Sequence, residues 1–111
     1  MRARMTGVKA VIRNLEQYDK RVETEVAKAL RTNILKMEAQ AKLLAPVDTG
    51  YLRNSIFSTY SGMTATLSAG AEYAMYQEFG TSKMLPQPFF FIAFERQKEQ
   101  LLADIKKALE G

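Results

Sequence analysis

The sequence predicts an α+β fold: a long N-terminal helix and a C-terminal helix packed on a small antiparallel sheet, with a short helix between. Three patterns predict it. Val22, Val26, Leu30, Ile34, Met37, Ala41 and Leu44 step by three and four, which keeps one helical face apolar. Met63, Ala65, Leu67 and Ala69 alternate with Thr64, Thr66 and Ser68, the period of two of a half-buried strand. A second helical pattern follows Pro88, with Phe94, Leu101, Ile105 and Ala108 on one face and Leu102 and Leu109 beside it. With 47% apolar and 25% charged residues in a chain of 111, residues 1–111 read as one globular domain. At that size a subunit interface often supplies part of the burial.

The N-terminal element begins ambiguously. Val8, Val11, Ile12 and Leu15 also fall at helical spacing after Thr6 or Gly7, and no Gly or Pro occurs from Val8 to Ala45. One unbroken helix over that span would be roughly 55 Å long at about 1.5 Å per residue, while a compact domain of this size has a radius of gyration near ~13 Å. Two outcomes are expected. Either the helix breaks near Tyr18 to Lys20, or residues 1–18 form a helical arm on a neighbouring subunit.

The chain turns over in Pro46-Val47-Asp48-Thr49-Gly50-Tyr51-Leu52-Arg53-Asn54-Ser55. Pro46 disfavours helix at Ala45. Asp48 and Thr49 are both good N-cap residues for a new helical turn, and Gly50 permits a positive φ. Asp48-Thr49-Gly50 is also the tripeptide that carries the catalytic carboxylate of pepsin-like proteases, whose retroviral members are homodimers. That reading requires an apolar strand before the tripeptide, so that two carboxylates face each other and share a proton. Here a helical pattern and a proline precede it, which favours a capped turn.

Ile56, Phe57, Thr59 and Tyr60 are strand formers, and Ser61-Gly62 suits a tight turn into the alternating strand. The expected hairpin spans about 56–69. Two strands are marginal in water, so the sheet should gain a third from the N-terminus or from another subunit, and its open edge is a candidate contact. After Gly70-Ala71, residues 72–79 read as a short helix that Gly80 ends as a left-handed cap. Tyr73, Tyr76 and Phe79 could form a binding face, but aromatic residues at that spacing are more often core, which is where they are expected. Glu78 can be a surface acid, pair with Arg53, or cap a backbone amide. The loop from Thr81 to Pro88 holds Lys83, Met84, Leu85 and Pro86, apolar enough to be a contact segment. Pro88 suits the first turn of the last helix, which Phe89-Phe90-Phe91-Ile92 begins.

The chain has no Cys and no His, which removes disulfides, the usual zinc sites and every His-dependent triad. No catalytic, metal or cofactor residues are expected. No apolar run is long enough to cross a bilayer and no signal core is visible, so neither a membrane partner nor export is expected. The net charge of +4 arises from Lys and Arg interleaved with acids, which describes a solvated surface better than a nucleic-acid face with stacking aromatics.

Two blocks, Ala45-Pro46-Val47-Asp48-Thr49-Gly50-Tyr51-Leu52-Arg53-Asn54-Ser55-Ile56 and Glu72-Tyr73-Ala74-Met75-Tyr76-Gln77-Glu78-Phe79-Gly80-Thr81, followed by Pro88-Phe89, resemble the neck proteins of long-tailed bacteriophages and prophages. These are the head-tail joining, tail-completion or minor tail components. The order of elements agrees along nearly the whole chain. One departure is Ile92-Ala93, where relatives commonly have Pro-Ala. The resemblance makes Pro46, Asp48, Thr49, Gly50, Leu52, Ser55, Tyr73, Tyr76, Glu78, Gly80, Thr81, Pro88 and Phe89 positions of fold and assembly. It implies a ring of copies with the six-fold symmetry of the tail, contacts to tail-terminator or tail-tube proteins and to the head connector, and DNA only as the passing genome. It also implies residence in the virion after assembly in the host cytoplasm. Two other readings stand beside it: a basic DNA-binding or packaging accessory protein, and the homodimeric aspartyl hydrolase.

Overall fold

A computed structural model describes residues 2–5 as backbone, and residues 20–46, 50–62 and 64–110 in full. The elements are β1 (Arg2–Met5), α1 (Lys20–Leu44), α2 (Tyr51–Asn54), β2 (Ile56–Ser61), β3 (Thr64–Ala69), α3 (Ala74–Phe79) and α4 (Phe90–Glu110). The fold is α+β, as the periodicities predict. Its principal extents are 52 × 23 × 20 Å and its radius of gyration is 15.7 Å, more elongated than the ~13 Å of a compact domain of this length. The first expected helix, Val8 to Leu15, lies outside the described residues, as do Tyr18 and Asp19 of the expected break, while Lys20 is the first residue of α1. A helical arm over 1–18 is corrected at its start, because residues 2–5 are a strand.

α1 organises the molecule. Its predicted stripe is the buried face: Val22, Val26, Leu30, Ile34, Met37 and Ala41 are all buried, and Leu44 packs against them. One side of the helix lies on β2 and β3, and another runs along α4. The helix ends where Pro46 makes continuation unfavourable. Its last-turn carbonyl at Lys42 accepts from Arg53 Nε at 3.0 Å, which satisfies a group that a helix terminus leaves without a partner. Arg53 therefore serves α1 rather than Glu78.

The sheet has the order β1-β3-β2, antiparallel at both junctions. The third strand comes from the N-terminus. β2 and β3 pair without a bulge from Ile56↔Ala69 to Ser61↔Thr64, and Gly62 turns the corner at φ 56°. The alternation of β3 has its expected result, since Ala65, Leu67 and Ala69 are buried. Met63 lies outside the described residues.

Between α1 and α4 the core is polar at one level. Asn33 is fully buried. Its Nδ2 donates to Ala29 O at 2.8 Å and to Asp104 Oδ2 at 2.9 Å, and its Oδ1 accepts from Gln97 Nε2 at 2.7 Å. Gln97 Oε1 in turn accepts from Gln40 Nε2 at 2.9 Å, and Gln100 Nε2 donates to Asp104 Oδ1 at 2.8 Å. A satisfied buried network admits one register of the two helices, because any slip leaves buried donors without partners.

The network makes a prediction. Asn33→Leu keeps the volume but leaves the Gln97 amide without its acceptor, and should cost about 2 kcal/mol. The hydrogen bonds from Asn33, then from Gln100, hold the Asp104 carboxyl below the ordinary carboxylate range, aided by Lys36 and Lys107 and opposed by partial burial. A depressed carboxylate stabilises the fold above its unfolded pKa of about 3.9, and that contribution is lost as pH falls through the lower folded value. Urea midpoints should therefore fall less steeply with acidification below pH ~4 in the variant than in the parent.

Candidate functional site

The described residues of the central stretch make local contacts. Gly50 has φ 78° and ψ −3°, the left-handed conformation, and precedes α2 without any side-chain cap. Asp48 and Thr49 lie outside the described residues. Gly50 itself lies between two helices, not after the apolar strand that a pepsin-like site requires. Leu52 is buried, and Ser55 Oγ donates to Leu52 O at 2.7 Å, so this short turn is pinned to the core at one residue and closed at the next. Pro46 is half-buried at the end of α1.

The second motif block forms a clip between α3, the loop 80–89 and α4. Glu78 is buried, and its carboxylate takes three backbone amides at the start of α4. Oε1 accepts from Phe89 N and Phe90 N at 2.9 Å each, and Oε2 accepts from Phe91 N at 3.1 Å. These amides have no acceptor inside the helix, and the positive end of the helix dipole adds attraction for the anion. Of the three roles open to Glu78 in the sequence, capping is the one it fills. The cap comes from a different helix, so it fixes the angle and distance between α3 and α4 as well as satisfying donors.

The loop is held on its other side as well. Gln87 N donates to Gln77 O at 2.7 Å, and Thr81 and Met84 exchange backbone hydrogen bonds at 2.9 and 3.3 Å. Lys83 N donates to Thr81 Oγ1 at 3.2 Å. Gly80 is not a left-handed helical cap. Its φ is 76° but its ψ is 178°, because the chain must turn sharply out of α3 to bring residues 84–86 against its own backbone. Pro88 is likewise not in the first turn. α4 starts at Phe90, two residues later, where the Glu78 carboxylate can reach its amides.

This rigid clip exposes apolar side chains. Tyr73 packs half-buried on the core and stacks on Tyr51 with centroids 5.9 Å apart. Tyr76 and Phe79, expected in the core, are 57% and 59% exposed, and Leu85 is 84% exposed. Met75 and Phe91 are also open to solvent, with Phe91 5.9 Å from Phe79 between ring centroids. The helix is only six residues long. Ala74 and Glu78 occupy its inner side, so the aromatic residues at 76 and 79 point away from the core. In the loop Lys83, Leu85 and Pro86 are exposed and Met84 is half-buried. Phe89 is fully buried, which anchors the far end.

A concavity of about 460 Å³ lies between α1 and α4 and is lined by Arg21, Glu25, Lys28, Thr32, Asp104 and Lys107 among others. Its carboxylates are engaged: Asp104 by Asn33 and Gln100, Glu25 beside Lys28 at 4.0 Å. A carboxyl serving as general acid needs its pKa raised, and that of Asp104 is lowered. Among the described residues no group of three or more His, Cys, Asp or Glu could hold a metal ion. No helix among them is long and apolar enough to cross a membrane.

Sequence reasoning missed two kinds of residue. Asn33 and Gln97 interrupt the apolar faces of α1 and α4, three residues after Leu30 and four before Leu101, and a polar residue at such a position was the available signal. Met75 and Phe91 gave no signal of their own, because nothing in the pattern separates an apolar residue that meets the core from one that meets a partner.

The described interior polar groups are largely engaged, while Tyr76, Phe79 and Phe91 turn outward on the clip. Residues 9–80, about two thirds of the chain, match the family model described as "Bacteriophage HK97-gp10, putative tail-component". The chain belongs to this HK97-gp10-like family of phage tail components. Comparison with curated proteins and with solved structures gave no match. The phage tail resemblance read from the two motif blocks is thereby established at the level of the family.

Proposed function

We propose that the chain is a structural, non-catalytic component of the phage neck, which completes the tail and joins it to the head as a ring of copies with the six-fold symmetry of the tail. The observation that carries this reading is the family match over 9–80, which takes in the turn, the hairpin and α3. The exposed Tyr76, Phe79 and Leu85, with Phe79 and Phe91 in ring contact at 5.9 Å, support it, since exposed apolar clusters mark protein contacts. In this reading the chain is one domain, and the motif positions from Pro46 to Phe89 serve fold and assembly. The loop residues Lys83, Met84, Leu85 and Pro86 meet the tail-terminator or tail-tube protein on one side or the head connector on the other. The net positive charge faces the passing genome or an acidic partner. The chain resides in the virion and assembles in the host cytoplasm.

Electron microscopy of particles from a phage that lacks this gene tests the proposal. DNA-filled heads and separate tails should accumulate, and the chain supplied in trans should restore joined virions. Normal virions without it would overturn the reading.

A further inference from the structure

Among the described residues the sheet ends in β1 on one side and β2 on the other, and the chemistry of β2 is unusual. β2 is an edge strand, and among the described residues no backbone hydrogen bond passes from Ile56–Ser61 to any element beyond β3. Edge strands are ordinarily protected from pairing by a charge, a proline, a bulge or short length. β2 has none of these in its own sequence, and the charged group that meets it, the Arg31 guanidinium of α1, lies 4.8 Å over the face of the Tyr60 ring rather than along the strand's hydrogen-bonding edge. β2 is six residues long with the sequence IFSTYS, it pairs residue for residue with β3, and no charged residue occurs from Asn54 to Ala71 in a chain that is 25% charged. The opposite edge, β1, carries Arg2 and Arg4, so two β1 edges brought together would place like charges side by side. Both strands run antiparallel to β3 and therefore parallel to each other.

We infer that β2 of one copy receives β1 of the next, so that the three-stranded sheets join edge to edge into one sheet that runs between subunits. The occupant is a second copy of this chain, because the chain itself supplies a strand of the right direction, β1, which pairs with β3 alone among the described residues. The backbone groups along β2 ask for an extended strand, and the lack of charge on β2 leaves it open to the basic β1. A contact between two different edges is head-to-tail and closes into a ring when the rotation permits, whereas β2 against β2 would stop at a dimer. The inference rests on the ring reading above and assigns the surface that makes the ring.

Cysteine cross-linking tests it cleanly, since the chain has no cysteine of its own. Arg4 and Thr59 both lie opposite Thr66, on either side of β3. Within one copy their Cα atoms are two strand spacings apart, roughly 9.6 Å, beyond the ~7 Å limit for a disulfide. Any bond between them must join two copies. Arg4→Cys is combined in turn with Phe57→Cys, Thr59→Cys or Ser61→Cys, to cover the possible registers, and is oxidised both as isolated protein and in purified tails. Circular dichroism checks that each variant is folded, and the solution mass is measured under reducing conditions.

At least one pair should give a ladder of covalent dimers, trimers and larger species, while each single variant gives none. Thr59→Lys should shift the reduced mass to that of the monomer. A Thr59→Cys variant that forms dimers alone, as completely as the pairs do, would show β2 against β2 and overturn the inference. Oligomers of unchanged mass without any ladder would overturn it while leaving the ring reading intact. A chain that is monomeric both alone and in tails would overturn both.

Discussion

Glu78→Ala should destabilise the protein by about 4 kcal/mol, since each buried amide that loses a charged acceptor costs about 1–3 kcal/mol and the attraction of the helix end is lost as well. Phe89 and Phe90 are fully buried, so water cannot readily replace the carboxylate there. The melting temperature of a domain this size should fall by roughly 15 °C. Glu78→Gln should cost about half as much. Its single carbonyl oxygen can keep the bonds from Phe89 and Phe90, but its amide group would confront the Phe91 donor. Thermal unfolding of the three proteins checks the order. Equal stability of parent and alanine variant would mean that the start of α4 is held by something other than this carboxylate.

Gly80→Ala should cost about 3 kcal/mol or more, for two separate reasons. A φ of 76° with ψ 178° lies in a region essentially confined to glycine. A Cβ would also stand 2.8 Å from Met84 O and Pro86 N and 2.9 Å from Pro86 Cδ, and backbone atoms in a closed turn do not move aside cheaply. Gly62→Ala separates the two reasons. Gly62 has φ 56° but nothing within 4 Å of an added Cβ, so only the conformational cost of about 1 kcal/mol applies. Denaturant midpoints should rank parent, Gly62→Ala, Gly80→Ala in falling order, and a reversal of the last two would contradict the packing described around Gly80.

These two sites show what the sequence could and could not reveal. Helices, hairpin and core stripe were legible because burial imposes a period, and the period survives in the order of residues. Pro46, Gly50 and Gly62 were legible because their backbone chemistry is local. The clip was not. Glu78 reaches amides eleven to thirteen positions away, and no local pattern distinguishes such a cap from a surface acid. The ψ of Gly80 is set by residues 84–86, and the start of α4 by a side chain on another helix. Tyr76 and Phe79 were misplaced in the core for a related reason. Aromatic spacing reports a face, and a short helix whose inner side holds Ala74 and Glu78 has its aromatic face left for something else. Asn33 and Gln97 could have been found, since polar residues inside two facing stripes call for partners in each other.

The exposed surface of the clip is the surface proposed to be used for assembly. Tyr76→Ser, Phe79→Ser and Leu85→Ser in one chain remove the apolar surface without touching Glu78, Gly80 or Phe89. This triple variant should keep the parent's circular-dichroism spectrum and unfold within about 1 kcal/mol of it, since exposed positions contribute little to stability. Supplied to a phage lacking the gene, it should leave DNA-filled heads and detached tails in electron micrographs, as the empty control does. Intact infectious virions from the folded triple variant would contradict the account.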